Sequence, residues 1–252
     1  MSRSILKVVP HGTQIIEKLR NDEDYYGEYG KQFLSYSDII ALLKSPDTFK
    51  QETVKTKPML EGSYFHTAML EPDRLDEYEV IDVASRSTKV YKESCKEGEI
   101  LLLKKEQDHL NILVDKMKGN LEMYDEIYAE GSEYEKPETT SIMNHMWKGK
   151  ADIVTKDLVI DIKTCSDITK FEYSARTYNY NAQAYIYQRL FGKPMRFFVI
   201  DKQTLRLGIY DCSPAFVEEG QRKVEQATEI YEKFFGEEAT HDISTYIHRQ
   251  TL

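Results

Sequence analysis

The sequence has few of the features that mark secreted, membrane or zinc-binding proteins. Its three cysteines are an odd number without metal-type spacing, so we expect reduced thiols and neither a disulfide framework nor a zinc site. No apolar run approaches the roughly 18 residues of a membrane span, and residues 5–10 form only a short apolar stretch. These absences predict a cytoplasmic protein that does not contact a membrane.

An excess of positive charge is also missing, since the formal net charge is −9. Non-specific DNA affinity comes mainly from lysine and arginine contacts to phosphate, so this balance argues against a diffuse DNA-binding surface. A local basic strip can still exist on a negative exterior. Arg86, Lys89 and Lys92 form the candidate strip for DNA, because their spacing places them along one side of a helix. The alternative is an ordinary solvated helix face.

What the sequence does contain is a pair of short apolar runs, residues 149–154 and 158–164, that read as two strands. Period two places Asp161 and Lys163 on one face of the second strand. If residues 156–157 form a two-residue hairpin loop, counting outward sets Asp152 opposite Asp161. Like charges so placed destabilise a sheet unless a cation lies between them. The pattern therefore predicts a metal site.

Carboxylate oxygens are the preferred ligands of Mg²⁺, which keeps part of its coordination shell for water and substrate phosphate. A lysine on the same face, here Lys163, could orient the attacking water or assist its deprotonation. The alternative is that Asp161 and Lys163 are a chance pair on an exposed strand face, because acidic and basic residues are both abundant in this chain.

Several short motifs follow one another along residues 34–235. They are Leu-Ser-Tyr-Ser at 34–37, Gly-Ser-Tyr-Phe-His at 62–66, Leu-Glu-Pro at 70–72, Arg-Ser-Thr-Lys at 86–89, Gly-Lys-Ala-Asp at 149–152, Asp-Ile-Lys-Thr at 161–164 and Gln-Ala-Tyr-Ile-Tyr at 183–187. In these motifs and their order the chain resembles the PD-(D/E)xK nuclease superfamily. Within that superfamily it resembles the RecE-like (exonuclease VIII type) phage and prophage exonucleases, and more distantly lambda exonuclease and RecB nuclease domains.

The resemblance implies a role for each matching residue. Asp152 and Asp161 would be metal ligands, and Lys163 the catalytic lysine. Gln183 and Tyr187 match a Gln-x-x-x-Tyr motif whose residues orient the active site and nearby DNA. The chain departs from the commoner pattern at Asp161, where a glutamate is more frequent, and the shorter side chain could change the metal preference.

The pattern leaves alternatives open for two further assignments. His66 would be an additional metal ligand by resemblance, whereas without the resemblance a buried core histidine is the better interpretation. An extra acidic residue is expected on the strand before Asp152, where the chain offers Glu135 and Glu138. We predict Glu138 as the catalytic one, because it opens the apparent strand at residues 139–143.

The predicted fold is α/β, with a central mixed β-sheet flanked by helices in a restriction-endonuclease-like core, and an N-terminal helical segment. We divide the chain into a polar arm (1–33), a helical segment that contributes His66 (34–130), a nuclease core (131–236) and a tail (237–252). Ser35 and Asp38 fit a capping box at the first helix. Residues 174–191 are expected to form one helix that ends at Gly192.

The resemblance implies a Mg²⁺- or Mn²⁺-dependent exonuclease that resects linear duplex DNA from its 5′ ends. The 3′ overhangs would serve recombination by a single-strand annealing partner in the bacterial host cytoplasm. A homo-oligomeric ring, trimer or tetramer, is expected to enclose the DNA end. The alternatives are an endonuclease or single-strand nuclease on the same core, a non-catalytic subunit that binds DNA ends, and a globular domain with a chance motif.

Overall fold

The computed structural model describes residues 12–51, 54–96 and 98–247. The α-helices in these ranges are α1 (Gly12–Leu19), α2 (Asp22–Tyr26), α3 (Tyr36–Lys44), α4 (Lys57–Leu70), α5 (Lys89–Ser94), α6 (Lys104–Lys118), α7 (Leu121–Ile127), α8 (Phe171–Thr177), α9 (Tyr180–Phe191) and α10 (Pro214–Phe234). The strands are β1 (Val80–Ile81), β2 (Leu102–Leu103), β3 (Glu133–Ile142), β4 (His145–Val154), β5 (Val159–Cys165), β6 (Met195–Asp201) and β7 (Leu207–Asp211).

The main sheet has five strands in the order β3-β4-β5-β6-β7. Only β5 and β6 run parallel, and the other neighbouring pairs in this sheet are antiparallel. Helices α8 and α9 lie between β5 and β6 along the chain, as a parallel crossover requires. The predicted α/β fold with a mixed central sheet is therefore confirmed. Strands β1 and β2 form a separate short parallel pair.

Side chains that alternate along the strands of the main sheet pack into two apolar clusters, one on each face. Val159 of β5 packs in one cluster with residues of α9 and α10. Ile160 and Ile162 pack in the other with residues of α4, α6 and α7. Burial of these apolar side chains is the main force that holds both helical layers on the sheet. The predicted helical segment and nuclease core thus share both clusters.

The structure contains both local features predicted here, the capping box at Ser35 and Asp38 and the two-residue hairpin loop at residues 156–157. The Ser35 main-chain N–H donates to Asp38 Oδ2 at 2.8 Å, which forms the capping box at the start of α3. In the hairpin between β4 and β5, the Thr155 N–H donates to Leu158 O at 2.9 Å across a two-residue loop. The register continues with Ile153 opposite Ile160, as counting predicted.

The polar arm predicted for residues 1–33 is wrong over the residues described, 12–33, which form α1, α2 and a short 3-10 turn. Tyr25 is buried, and its carbonyl oxygen accepts a hydrogen bond from Lys148 Nζ of β4. Lys150, also on β4, lies 2.5 Å from Asp22 in an ion pair. Residues 1–11 lie outside the described part of the chain. At the other end, residues 243–245 of the predicted tail form a 3-10 turn, and residues 248–252 are again outside.

The helix expected over residues 174–191 is broken into α8 and α9. Asn179, at the junction, has a φ of 61°, in the left-handed region that asparagine tolerates better than most residues. The predicted end of α9 is confirmed, because Gly192 caps it with a φ of 65°. None of the helices in the described ranges is long and apolar enough to cross a membrane.

Candidate active site

Three neighbouring strands of the main sheet place three carboxylates side by side. Tyr134 pairs with Ile153 and Lys136 with Ala151, so the intervening Glu135 of β3 lies opposite Asp152 of β4. The register between β4 and β5 in turn places Asp152 opposite Asp161. A row of like charges across three strands is unfavourable by itself, and it becomes favourable when a cation binds between them.

The sheet is locally irregular where this row crosses it. The paired residues of β4 and β5 end at Ile153 and Ile160, and beyond them Asp152 Oδ2 accepts the Ile162 N–H at 2.8 Å. A side chain thus replaces the strand-to-strand hydrogen bond at this point. Glu135 has a φ of 44°, which is rare for a non-glycine residue. Both irregularities fall at acidic residues of the row, where strained or re-aimed backbone often marks a functional site.

His66 reaches the same row from α4. Its Nδ1 lies 3.3 Å from Asp152 Oδ2, and the side chain is one-quarter exposed. Ligand atoms of His66, Glu135 and Asp152 all lie within 4.8 Å of one another, close enough to share one metal ion. The structure therefore brings together His66 and Asp152, which the sequence singled out as ligands.

The extra acidic residue of this cluster is Glu135 and not Glu138, which corrects the choice made from the sequence. Glu138 is opposite Gly149, three positions along β3 from Glu135, and its Oε1 accepts the Thr139 N–H at 2.9 Å. The reason is that β3 begins at Glu133, well before the predicted start. Glu138 therefore lies inside the strand rather than at its opening.

Asp161 forms the second part of the site, together with Lys163. Lys163 Nζ lies 2.6 Å from Asp161 Oδ2, and Gln183 Nε2 donates to Asp161 Oδ1 at 2.5 Å. Asp161 Oδ2 is fully buried, and the Lys163 ammonium is its close neighbour among the described residues. An oxygen in this condition retains a lone pair for a metal ion or a water molecule.

The pKa shifts reflect this crowding. Burial, and then the charge of Asp152, raise the pKa of Asp161 to about 6. Burial and Asp152 likewise raise the pKa of Glu135 to about 8. Burial alone would also raise the pKa of Asp152, but the charge and hydrogen bond of His66, aided by Lys163, hold it below its ordinary value. The Lys163 cation, and His66 when it is protonated, offset only part of the clustered negative charge.

These residues fit a hard divalent metal. Carboxylate oxygens suit Mg²⁺ and Mn²⁺, and an imidazole nitrogen is accepted more readily by Mn²⁺. His66, Glu135 and Asp152 would hold the ion, and Asp161 Oδ2, the oxygen paired with Lys163, is the candidate for a further ligand.

Gln183 and Tyr187 fix the two strands that carry the carboxylates. Both side chains are buried on α9, and Tyr187 donates its hydroxyl hydrogen to Lys150 O at 2.9 Å, two residues before Asp152. The close approach of α9 to β4 needs Gly149, because a Cβ there would lie 2.5 Å from Leu190 Cδ1. Gln183 and Tyr187 are therefore positioning residues. Tyr180 lies three residues before Gln183 on the same helix, and Lys163 Nζ lies 5.1 Å from the centroid of its ring.

The basic strip predicted for DNA binding is not formed as a single helix face. Arg86 precedes α5, and it forms two short hydrogen bonds to the Glu106 carboxylate of α6, at 2.6 and 2.7 Å. Its guanidinium therefore has a structural partner, which removes Arg86 from the strip. Lys89 and Lys92 do lie on α5, one turn apart, and Lys89 is largely exposed although it pairs with Glu93. Their role in DNA binding stays a prediction.

Comparisons with known proteins agree with this fold. A family model described as a PDDEXK-like domain of unknown function (DUF3799) matches residues 31–244. A crystal structure of a "putative exonuclease" from Eubacterium rectale is similar to 92% of this chain and 95% of its own, with 18% identity and a TM-score of 0.65.

A phage-related exonuclease from Haemophilus somnus 129PT aligns with 80% of this chain and 94% of its own, with 13% identity and a TM-score of 0.35. The Eubacterium rectale similarity shows a shared fold, whereas a TM-score as low as the second supports no further conclusion. No curated protein matches the chain by sequence.

Proposed function

The chain belongs to the family of PDDEXK-like domains designated DUF3799, and from that premise we propose that it is a Mg²⁺- or Mn²⁺-dependent deoxyribonuclease. The observation that carries the proposal is the meeting of His66, Glu135 and Asp152 within 4.8 Å, directly beside the Asp161 and Lys163 ion pair. The family and the fold support a nuclease. The metal and the DNA substrate are inferred from the chemistry of the donor set.

Some side chains of the site would bind the metal ion, and others would orient the attacking water and the phosphate. A bound divalent ion would polarise a phosphoryl oxygen and make a coordinated water a better nucleophile. Burial opposes protonation of Lys163, yet the charges of Asp161 and Asp152 outweigh it and raise the pKa of this lysine above its ordinary value. Lys163 is therefore a cation at neutral pH in this geometry. It would hydrogen-bond to the attacking water or stabilise the charge that develops on the phosphate, rather than remove a proton itself.

The narrower proposal is an exonuclease that acts on linear duplex DNA in the 5′ to 3′ direction. The resulting 3′ overhangs would be passed to a single-strand annealing protein in recombination. Support comes from the motif order in residues 34–235, which resembles that of RecE-like exonucleases. A net charge of −9 disfavours a tight diffuse grip on DNA, so we propose that a homo-oligomeric ring keeps the enzyme on its substrate.

The test is to incubate the purified protein with linear and covalently closed circular duplexes, in Mg²⁺, in Mn²⁺ and with chelator. Linear DNA should be degraded only when metal is present. Asp161→Asn should lower the rate by at least about a hundred-fold, because it removes a charged ligand oxygen from the proposed metal ion. Asp157→Asn is the matched control, since Asp157 is exposed in the loop of the same hairpin. Equal rates for wild type and Asp161→Asn would refute the assignment of the site.

Strand-specific end labels then test the polarity. Loss of the 5′ label first, with circles intact, is the expected result. Nicking of closed circles would identify an endonuclease on the same core, and loss of the 3′ label first would reverse the proposed direction.

A further inference from the structure

At the junction of α8 and α9, the rings of Tyr178 and Tyr180 lie one after the other between solvent and Lys163. The side chain of Tyr178 is 57% exposed, and its ring centroid lies 5.9 Å from that of Tyr180. The ring of Tyr180 in turn lies under Lys163, with Nζ 5.1 Å from its centroid. The exposed Tyr178 ring is thus two contacts away from Lys163, the group that would meet the scissile phosphate.

The backbone beneath this exposed ring is held from two other helices. Tyr36 of α3 donates its hydroxyl hydrogen to Tyr178 O at 2.6 Å. Lys223 of α10 donates to Arg176 O and to Asn179 Oδ1, both at 2.7 Å. Asn179 itself takes the left-handed conformation that ends α8 and starts α9. These hydrogen bonds hold the backbone at Tyr178 in one conformation. The exposed Tyr178 ring is therefore positioned before any ligand binds.

We infer that Tyr178 stacks on an unpaired nucleobase of the strand whose phosphate lies at Lys163. This inference rests on the proposed nuclease function and adds a positioning residue to it. Every base has a flat π-face, so such a contact is independent of sequence. It also adds affinity that does not depend on positive charge, which suits a chain with a net charge of −9.

The competing interpretation is that Tyr178 only packs against Tyr180. Exposure of more than half of the Tyr178 side chain argues against this interpretation, because the ring contact with Tyr180 covers only part of it. Tyr173 provides the comparison: it lies on α8, the short helix that ends just before Tyr178, and is 75% exposed. If exposure of a tyrosine near the site were enough for DNA binding, both residues would contribute.

The experiment measures binding of labelled single-stranded oligonucleotides, with Ca²⁺ in place of Mg²⁺ to slow hydrolysis. Tyr178→Ala should weaken binding by about ten-fold, in the range found when an aromatic ring is removed from a stacked base. Tyr178→Phe should stay within about two-fold of wild type, since the ring is kept. Tyr173→Ala should match wild type. Melting temperatures of all three variants check that the fold is intact.

A second set of oligonucleotides carries one abasic nucleotide, moved stepwise along the strand. At one position the abasic site should weaken wild-type binding by the same factor as Tyr178→Ala, and it should weaken the alanine variant no further. Non-additivity of this kind identifies the base and the ring as partners. A merely structural role would give losses that multiply at every abasic position.

The outcomes separate this inference from the proposed function. If wild type cleaves DNA and Tyr178→Ala binds the intact strand as tightly as wild type, stacking by Tyr178 is refuted while the nuclease assignment stands. Losses that multiply at all abasic positions refute it equally. If wild type neither binds nor cleaves DNA under any metal condition, the proposed function fails and the inference fails with it.

Discussion

At the scale of single residues, the structure distinguishes two glutamates of one strand. Glu135 shares its ligand cluster with His66 and Asp152, whereas Glu138 bonds to the neighbouring Thr139 N–H. We expect Glu135→Gln to abolish most metal-dependent cleavage and to weaken Mn²⁺ binding, because one ligand charge is lost. Glu138→Gln is the matched control and should retain both. Calorimetric metal titration with parallel cleavage assays would measure the difference, and the reverse ranking would restore Glu138.

The error over Glu138 has a simple physical origin. Counting in the hairpin between β4 and β5 works because its loop was located correctly, and that register places Asp152 opposite Asp161. The hairpin between β3 and β4 turns at Met143 and Asn144, whose φ values are 51° and 62°. No glycine marks this turn, so the usual Asn-Gly or Asp-Gly signal is missing. Once the turn is known, the same counting would have selected Glu135.

His66 provides a second prediction at this scale. Its Nδ1 contact with Asp152 and its partial exposure favour a ligand over a core histidine. We expect His66→Ala to weaken metal binding and to reduce Mg²⁺-supported activity more than Mn²⁺-supported activity, as the ion that binds less tightly is lost first. His109→Ala, at an exposed position of α6, is the control. Coincident metal titrations together with a lower melting temperature would instead establish a structural histidine.

At the scale of elements, a buried carboxylate joins the N-terminus of α6 to its neighbours. Burial would raise the pKa of Glu106, but hydrogen bonds from Arg86 and Lys57 and from the Leu103 N–H hold it at about 2. Because the pKa is depressed in the folded protein, the stabilisation is complete above the ordinary value near pH 4.5. It is lost as the pH falls from there towards 2. This sign follows from proton uptake by the unfolded chain.

We therefore expect Glu106→Gln to lower the free energy of unfolding by about 2 kcal/mol at pH 7. The difference from wild type should shrink steadily in denaturant titrations below pH 4.5. Glu93→Gln removes a largely exposed partner of Lys89 on α5 and should change stability little at any pH. A pH-independent deficit in Glu106→Gln would show that its charge does not stabilise the helix junction.

The elements recovered from sequence were those with strong local signals. The capping box at α3, the hairpin loop at residues 156–157 and the glycine that ends α9 all depend on neighbours a few residues away. Helix α2 was missed because its partners are Lys148 and Lys150, more than 120 residues along the chain. The polar residues 21–26 give no local signal that Lys148 and Lys150 will bond to them. The break at Asn179 was missed for a similar reason, since Tyr36 and Lys223 fix it from other helices.

At the scale of the whole molecule, the net negative charge bears on whether the protein assembles into an oligomer. A protein of net charge −9 needs some means other than broad electrostatic attraction to stay on DNA during sustained digestion. We expect light scattering to give a mass several times the 29.5 kDa of one chain, in keeping with a closed ring. DNA affinity should also depend only weakly on salt. A monomer that digests long duplexes without dissociating would exclude enclosure by identical subunits.

The only tryptophan of the chain, Trp147, is fully buried on β4, five residues before Asp152. Its indole N–H donates to Ile142 O at 3.1 Å, and Leu34 pairs with the main chain on both sides of it. Intrinsic fluorescence therefore reports on the strand that carries a metal ligand, at the place where a distant N-terminal segment joins it. The tryptophan signal would therefore record how the N-terminal segment joins the active strand, whereas circular dichroism records the helices of the whole chain.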